Sequence, residues 1–265
     1  MPLSKNDRRD DVGAAAEKGT WMNALPLVLI PGLASDRRLW QPVLDRLSGI
    51  VDPKVLMSQR DSIAGMADDV LAAAPDRFYL AGISMGGYVA LDAALRGTDR
   101  VAGLILVNTS ARAASGGQKR RASGHIADVA AGRFDAVVDT IASFVADGNS
   151  EVAQVAAAML RDEGPDGFVK QQQAVLSRLD RRSQLSRLRV PTLVISAECD
   201  AVTPPVLSRE LVSLIPYAEF KSVGGCGHLA TLEEPSAIAK LMRQWFAQRQ
   251  QHPGIAAEGV RTGRI

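Results

Sequence analysis

The chain has 265 residues, 46% hydrophobic and 23% charged, a balance that supports a buried core and excludes wholesale disorder. With 31 basic and 29 acidic side chains the net charge is +2, too small to suggest a nucleic-acid binder. No apolar run approaches the roughly 20 residues of a membrane span, and two cysteines cannot build a disulfide framework; a soluble cytoplasmic protein is expected.

Residues 1–20 are polar, mixed in charge and without periodicity, and read as a disordered arm; residues 250–265 read as a flexible tail. Between them, continuous apolar runs predict buried strands at Leu25–Ile30, Arg77–Ala81, Val101–Val107 and Thr192–Ser196. A weaker strand is predicted at Lys54–Met57, and Glu219–Val223 fits an edge or late strand. Helical patterns separate them at Arg38–Leu47, Ile63–Ala74, Met85–Leu95, Pro205–Leu214 and Pro235–Gln248. Such alternation predicts an α/β fold with a mostly parallel sheet flanked by helices. Residues 112–188 break the pattern. They hold only helical stretches (Ile126–Val145, Glu151–Arg161 and Gly167–Leu185) and are read as an inserted helical cap, with 21–111 and 189–249 as the core.

Gly82-Ile83-Ser84-Met85-Gly86 matches G-x-S-x-G between a predicted strand and a predicted helix. Such a turn lifts a serine hydroxyl out of the sheet edge, and the helix start behind it offers free N–H groups to a developing oxyanion. A serine needs a base. Of three histidines, His252 lies in the expected tail, and His125 lies in the insertion, where a surface or satisfied histidine is expected. His228 sits in the glycine-rich Gly224–Leu229 loop after the last strand. The base needs an acid to set its tautomer. Asp200, beyond the Thr192–Ser196 strand, is preferred over Glu198 because it lies further past the strand end. Asn108, at the end of Val101–Val107, is not an acid and closes that alternative position.

The segments Val28–Trp40, Leu80–Leu91, Ser196–Pro204 and Gly225–Pro235, in the order Ser84, Asp200, His228, resemble the α/β-hydrolase superfamily. The similarity is to its small cytoplasmic serine hydrolases: enol-lactonases, esterases and cofactor-free haloperoxidases. It implies an α/β-hydrolase fold with a helical cap, and backbone oxyanion donors at Leu33 and Met85. Pro31-Gly32 stands where the family often has His-Gly, and the usual N-terminal antiparallel strands are not expected. The serine nucleophile argues against relatives that use an aspartate there.

Leu33, Trp40, Met85 and Leu229, with Phe134, Phe144 or Phe168 from the insertion, are candidates to line an apolar substrate pocket. Arg37-Arg38 is read as an exposed helix start, and Lys119-Arg120-Arg121 and Arg181-Arg182 as solvated faces. The expected activity is hydrolysis of a small carboxylic ester or lactone through an acyl-enzyme, with no cofactor or metal and no nucleic-acid or membrane-spanning role. Perhydrolysis, thioester cleavage or carbon–carbon cleavage on the same three residues is the alternative. A non-catalytic ligand receptor on the same fold is less favoured, because binding alone needs no acid behind the histidine. Cys199 and Cys226 flank Asp200 and His228 and are read as small packing side chains.

Overall fold

The computed structural model describes residues 26–97 and 99–251. Six strands, β1 (Pro26–Ile30), β2 (Asp52–Val55), β3 (Phe78–Ile83), β4 (Val101–Val107), β5 (Thr192–Ala197) and β6 (Ala218–Val223), form one sheet in the order β2-β1-β3-β4-β5-β6. Every pairing is parallel, and no antiparallel strand joins the sheet among the described residues. The helices are α1 (Gln41–Arg46), α2 (Ile63–Ala73), α3 (Met85–Arg96), α4 (Gly116–Ala130), α5 (Phe134–Ala146), α6 (Ser150–Ser177), α7 (Pro205–Leu214), α8 (Ala230–Glu233) and α9 (Pro235–Gln251), with 3₁₀ turns at Arg37–Leu39 and Arg182–Arg187. The expected arm and residues 252–265 of the expected tail lie outside the described residues; 250 and 251 instead close α9.

Strand side chains alternate between two cores, as a period of two requires. Leu27, Leu29, Ile105, Val107, Leu193 and Ile195 face one core, shared with Trp245 and Phe246 of α9. Val28, Ile30, Leu104, Leu106 and Val194 face the other, built on α2, α3 and α7. Both faces are covered, so the central strands read as unbroken apolar runs. The edge strands β2 and β6 are less covered, and β2 differs most from its predicted limits. It contains Pro53, which an edge tolerates, and it starts two residues earlier than the sequence suggests because Pro26 pairs with Asp52.

Local backbone chemistry moves several predicted helix limits. Arg38–Leu47 divides into a 3₁₀ turn and α1, because Pro42 cannot donate to residue 38. Ile126–Val145 divides into α4 and α5 at Gly132, which has φ 75°. The two stretches 151–161 and 167–185 run together as α6, kinked at Gly164 (φ 77°, ψ 167°) before Pro165, and ending at Ser177. Helices α4, α5 and α6 all lie between β4 and β5, and α5 and α6 extend the core that α9 shares. Arg181 is not solvated as the sequence suggests; it ion-pairs with Asp92 of α3, which is 1% exposed, and fastens the cap's exit to the sheet layer.

The strand order reverses between β1 and β3: the chain leaves β1 toward one sheet edge and β3 toward the other. In parallel sheets such a switch opens a crevice at the carboxyl ends of the strands. At that edge Asn108, fully buried with φ 44°, joins three loops. Its Oδ1 accepts from Ala197 N–H (2.8 Å), while Nδ2 donates to the Gly227 (3.2 Å) and His228 (2.9 Å) carbonyls. Asparagine tolerates left-handed backbone better than most residues. Asn108→Ala strands three buried polar groups and is expected to lower unfolding free energy by about 2–4 kcal/mol in urea titrations. A loss below about 1 kcal/mol would deny Asn108 this anchoring role.

Candidate active site

Ser84 follows β3 directly and precedes α3, at φ 55° and ψ −118°. This strained conformation turns the chain from strand to helix within one residue. Close packing sets its neighbours. A Cβ on Gly82 would overlap the Gly86 backbone, and one on Gly86 would overlap the Ile30 carbonyl. Ser84 N–H donates to the Val107 carbonyl (3.1 Å), and Thr109 Oγ1 donates to the Ser84 carbonyl (2.8 Å). Both ends of the strained residue are therefore tied to the end of β4.

His228 is 5% exposed, and its Nε2 lies 2.9 Å from Ser84 Oγ. Its loop is gripped from two sides. The Glu233 carboxylate accepts from Gly227 N–H (2.7 Å) and Leu229 N–H (3.0 Å), while Asn108 holds the carbonyls. On the far side of the ring, Nδ1 lies 2.9 Å from Asp200 Oδ2. Asp200 also accepts from Thr203 Oγ1 (2.6 Å) and from the Val202 and Thr203 N–H groups (2.8 and 2.9 Å). Burial pushes the Asp200 carboxyl up, but the hydrogen bond and charge of His228 and the bonds from Thr203 outweigh it and hold the group below the usual carboxylate range. An ionised Asp200 accepting from Nδ1–H leaves Nε2 free to receive the Ser84 proton. Glu198 is exposed and accepts from Ser222 Oγ (3.1 Å) instead.

The turn after β1 closes through Ser35 N–H to the Gly32 carbonyl (3.3 Å), with Ala34 at φ 47° in its third position, the sign a type II turn requires. Ala34 N–H donates to Oε1 of buried Gln171 on α6 (2.5 Å), and Ser35 Oγ donates to the Leu33 carbonyl (3.2 Å). Neither Leu33 N–H nor Met85 N–H meets an acceptor among the described residues. Both residues border the same cavity as Ser84 and His228, of about 330 Å³.

Tyr88 of α3 and Val202 also line this cavity, and the cap supplies the rest: Gln118, Arg121, Ala122 and His125 from α4; Thr140, Ile141, Phe144 and Val145 from α5; and Gln172 and Val175 from α6. Of the apolar candidates, Leu33, Met85 and Phe144 line it, Phe144 standing 53% exposed at the mouth. Trp40, Leu229, Phe134 and Phe168 do not. Trp40 is fully buried, with Nε1–H donating to the Ile30 carbonyl (3.3 Å), and Phe134 packs at a tilt against buried Phe168, ring centroids 5.9 Å apart. Leu229 packs with the α9-side core. These side chains satisfy the core first because large apolar area is stabilised most by full burial. His125, expected to be a surface or satisfied histidine, and Arg121, exposed as expected, both also border the cavity.

Sequence reading passed over Thr203, Glu233 and Gln171, and took Asn108 only as a missing acid. The Asp200-to-Thr203 spacing is a legible turn signal; Gln171 lies 137 residues from its partner and leaves no local trace. Cys199 and Cys226 are free thiols, although Cys199 N–H donates to the Cys226 carbonyl (3.1 Å). Burial pushes the Cys226 thiol up to about 12, so it remains protonated and packs as a small apolar group. Among the described residues, no helix is long and apolar enough to cross a membrane, and no cluster of three or more His, Cys, Asp or Glu side chains could hold a metal.

Comparison with known proteins agrees with this architecture. The chain is 25% identical over 237 residues to the biotin biosynthesis bifunctional protein BioHC of Cellvibrio japonicus, covering 83% of this chain and 47% of that one; it thus spans about half the length of that relative. It is 27% identical over 210 residues to the pimeloyl-[acyl-carrier protein] methyl ester esterase of Aliivibrio salmonicida, covering 72% of this chain and 80% of that one. A malate-bound thermophilic esterase from Thermogutta terrifontis is similar with TM-score 0.76 and 26% identity, over 85% of this chain and 90% of that one. The family model described as alpha/beta hydrolase fold matches residues 58–235, more than half of the sequence, and the chain belongs to that family.

Proposed function

We propose that this protein is a serine hydrolase that cleaves a small carboxylic ester or lactone through an acyl-enzyme. The observation that carries this reading is the unbroken relay from Ser84 Oγ through His228 to Asp200, 2.9 Å at each step, opening onto a cavity bordered by two residues with uncommitted N–H groups. Ser84 Oγ attacks the carbonyl carbon as its proton passes to His228 Nε2. The carbonyl electron pair moves onto oxygen, and the N–H groups of Leu33 and Met85 stabilise that oxyanion. Collapse breaks the bond to the leaving oxygen, which takes the proton from Nε2. Water then attacks the acyl carbon, His228 receives its proton, and the tetrahedral species expels Ser84, which is reprotonated. Asp200 holds Nδ1–H and stabilises the imidazolium formed in each half-reaction.

Ser84→Ala is expected to lower kcat on a chromogenic ester by about 10⁴-fold or more, with an unchanged circular dichroism spectrum and no labelling by a fluorophosphonate probe. Rapid turnover by the folded variant would assign the nucleophile elsewhere. Asp200→Asn is expected to cost about 10⁴-fold in kcat by favouring the wrong imidazole tautomer. Glu198→Gln, on an exposed side chain, should stay within about threefold of the parent. The opposite ranking would reassign the acid.

A third measurement concerns the turn that carries Leu33. Gln171→Met keeps the side-chain length but removes the acceptor for Ala34 N–H, whose positive φ the bond helps to hold. The expected result is a fall in kcat of about 10-fold, the scale of one lost hydrogen bond, with KM little changed. A variant that raises KM while keeping kcat would show that Gln171 serves substrate binding instead.

A further inference from the structure

Two of the three cap helices that wall the cavity, α4 and α5, differ in chemistry. From α5 come Ile141, Phe144 and Val145, an apolar face broken only by Thr140. From α4 come Gln118, Arg121, Ala122 and His125, at the i, i+3, i+4, i+7 spacing of a single helix face. The Gln118 carboxamide oxygen is already engaged: Oε1 accepts from Arg178 Nη2 (2.8 Å) and from Ser115 N–H (3.0 Å), which leaves its NH₂ group as the uncommitted end. At His125, Nδ1 lies 3.5 Å from Gln172 Nε2; with Gln172 as donor, Nε2 is the ring's N–H. Arg121 is the one charged side chain among the described residues that line the cavity. Several cap arginines meet carboxylates, among them Arg133 with Asp128 and Arg161 with Asp135 and Asp139, while Arg178 donates to carbonyls and to Gln118 instead. Arg121 has no such partner among the described residues, and no carboxylate lines the cavity.

We infer that α4 forms an anion-recognising wall of the acyl site, and that the preferred substrate is an ester whose acyl chain is apolar next to the scissile carbonyl and bears a carboxylate at its far end, such as the half-ester of a short dicarboxylic acid. The inference rests on the serine-hydrolase reading above. The scissile carbonyl sits at Ser84, the methylene chain packs on Ile141 and Val145, and the terminal carboxylate accepts from Arg121, Gln118 and His125. A guanidinium suits this task because its planar array of N–H groups matches a carboxylate in charge and geometry. A neutral alkanoyl chain of equal length would leave these donors without an acceptor, and that omission sets the selectivity.

The test uses p-nitrophenyl esters in matched pairs, butanoate against hemisuccinate and pentanoate against hemiglutarate, at low salt. The expected kcat/KM favours the carboxylate-bearing member of at least one pair by about 10-fold or more, as charge-assisted hydrogen bonds allow. Arg121→Met should reduce that ratio by about 10–100-fold, and Arg121→Glu should place it below one. A readout free of turnover is calorimetric binding of monomethyl glutarate to the folded Ser84→Ala protein. Binding there that weakens about 10-fold or more on adding Arg121→Met supports the inference. Equal or reversed preference in the parent protein, a ratio unmoved by Arg121→Met, or monomethyl glutarate binding no tighter than methyl pentanoate would overturn it. Failure of the serine reading looks different: Ser84→Ala would then hydrolyse both members of a pair at the parent rate.

Discussion

The site depends on one constraint, the gathering of three loops at the end of β4. Val107 accepts from the Ser84 N–H, Thr109 donates to the Ser84 carbonyl, and Asn108 reaches the β5 exit and the histidine loop with the two ends of its carboxamide. Buried backbone groups that lack strand partners must be paired some other way, and here the pairing doubles as alignment. With β4 between β3 and β5 in the sheet, the loops that carry Ser84, Asp200 and His228 all fall within reach of its last residues.

Strain and satisfaction are linked at this edge. Ser84, Ala34 and Asn108 all adopt positive φ without being glycine, and each costs of order 1 kcal/mol or more. Each is also pinned by hydrogen bonds from another part of the chain: Ser84 by β4, Ala34 by Gln171 of the cap, and Asn108 by β5 and the histidine loop. Neighbours that over-determine a backbone let it keep a conformation it would otherwise leave. Glu233 and Thr203 play the same part for loops with ordinary backbone, by occupying the free N–H groups beside His228 and the free lone pairs of Asp200.

The cap works as both core and wall. Val137, Val138 and Ala142 of α5 join the apolar core that continues to α9, so the insertion is packed into the fold and not merely laid on it. The same helix turns Ile141 and Val145 toward the cavity, while α4 turns mainly polar side chains there. Gln171 then connects the cap to the turn that carries Leu33, so the seating of α6 and the shape of the proposed oxyanion site are one structural fact.

The parallel α/β architecture and the segment order were legible in the sequence, because buried strands show as apolar runs and G-x-S-x-G directly after such a run marks a tight strand-to-helix turn. The pairing of Ser84, Asp200 and His228 followed from their positions beyond strand ends, since in a parallel sheet those ends lie along one edge. Helix breaks at Gly132 and Pro42 were visible as residues, but their effect depended on which φ the surrounding packing imposed. Pocket composition was not legible. Trp40, Phe134 and Leu229 carry the same apolar signal whether they line a cavity or fill a core, and Arg121 and His125 carry the same polar signal whether or not they border a cavity. Sequence spacing records which residues share a helix face. Only the tertiary structure decides what that face meets, because the orientation of α4 and α5 over the sheet is set by contacts between residues far apart in the chain.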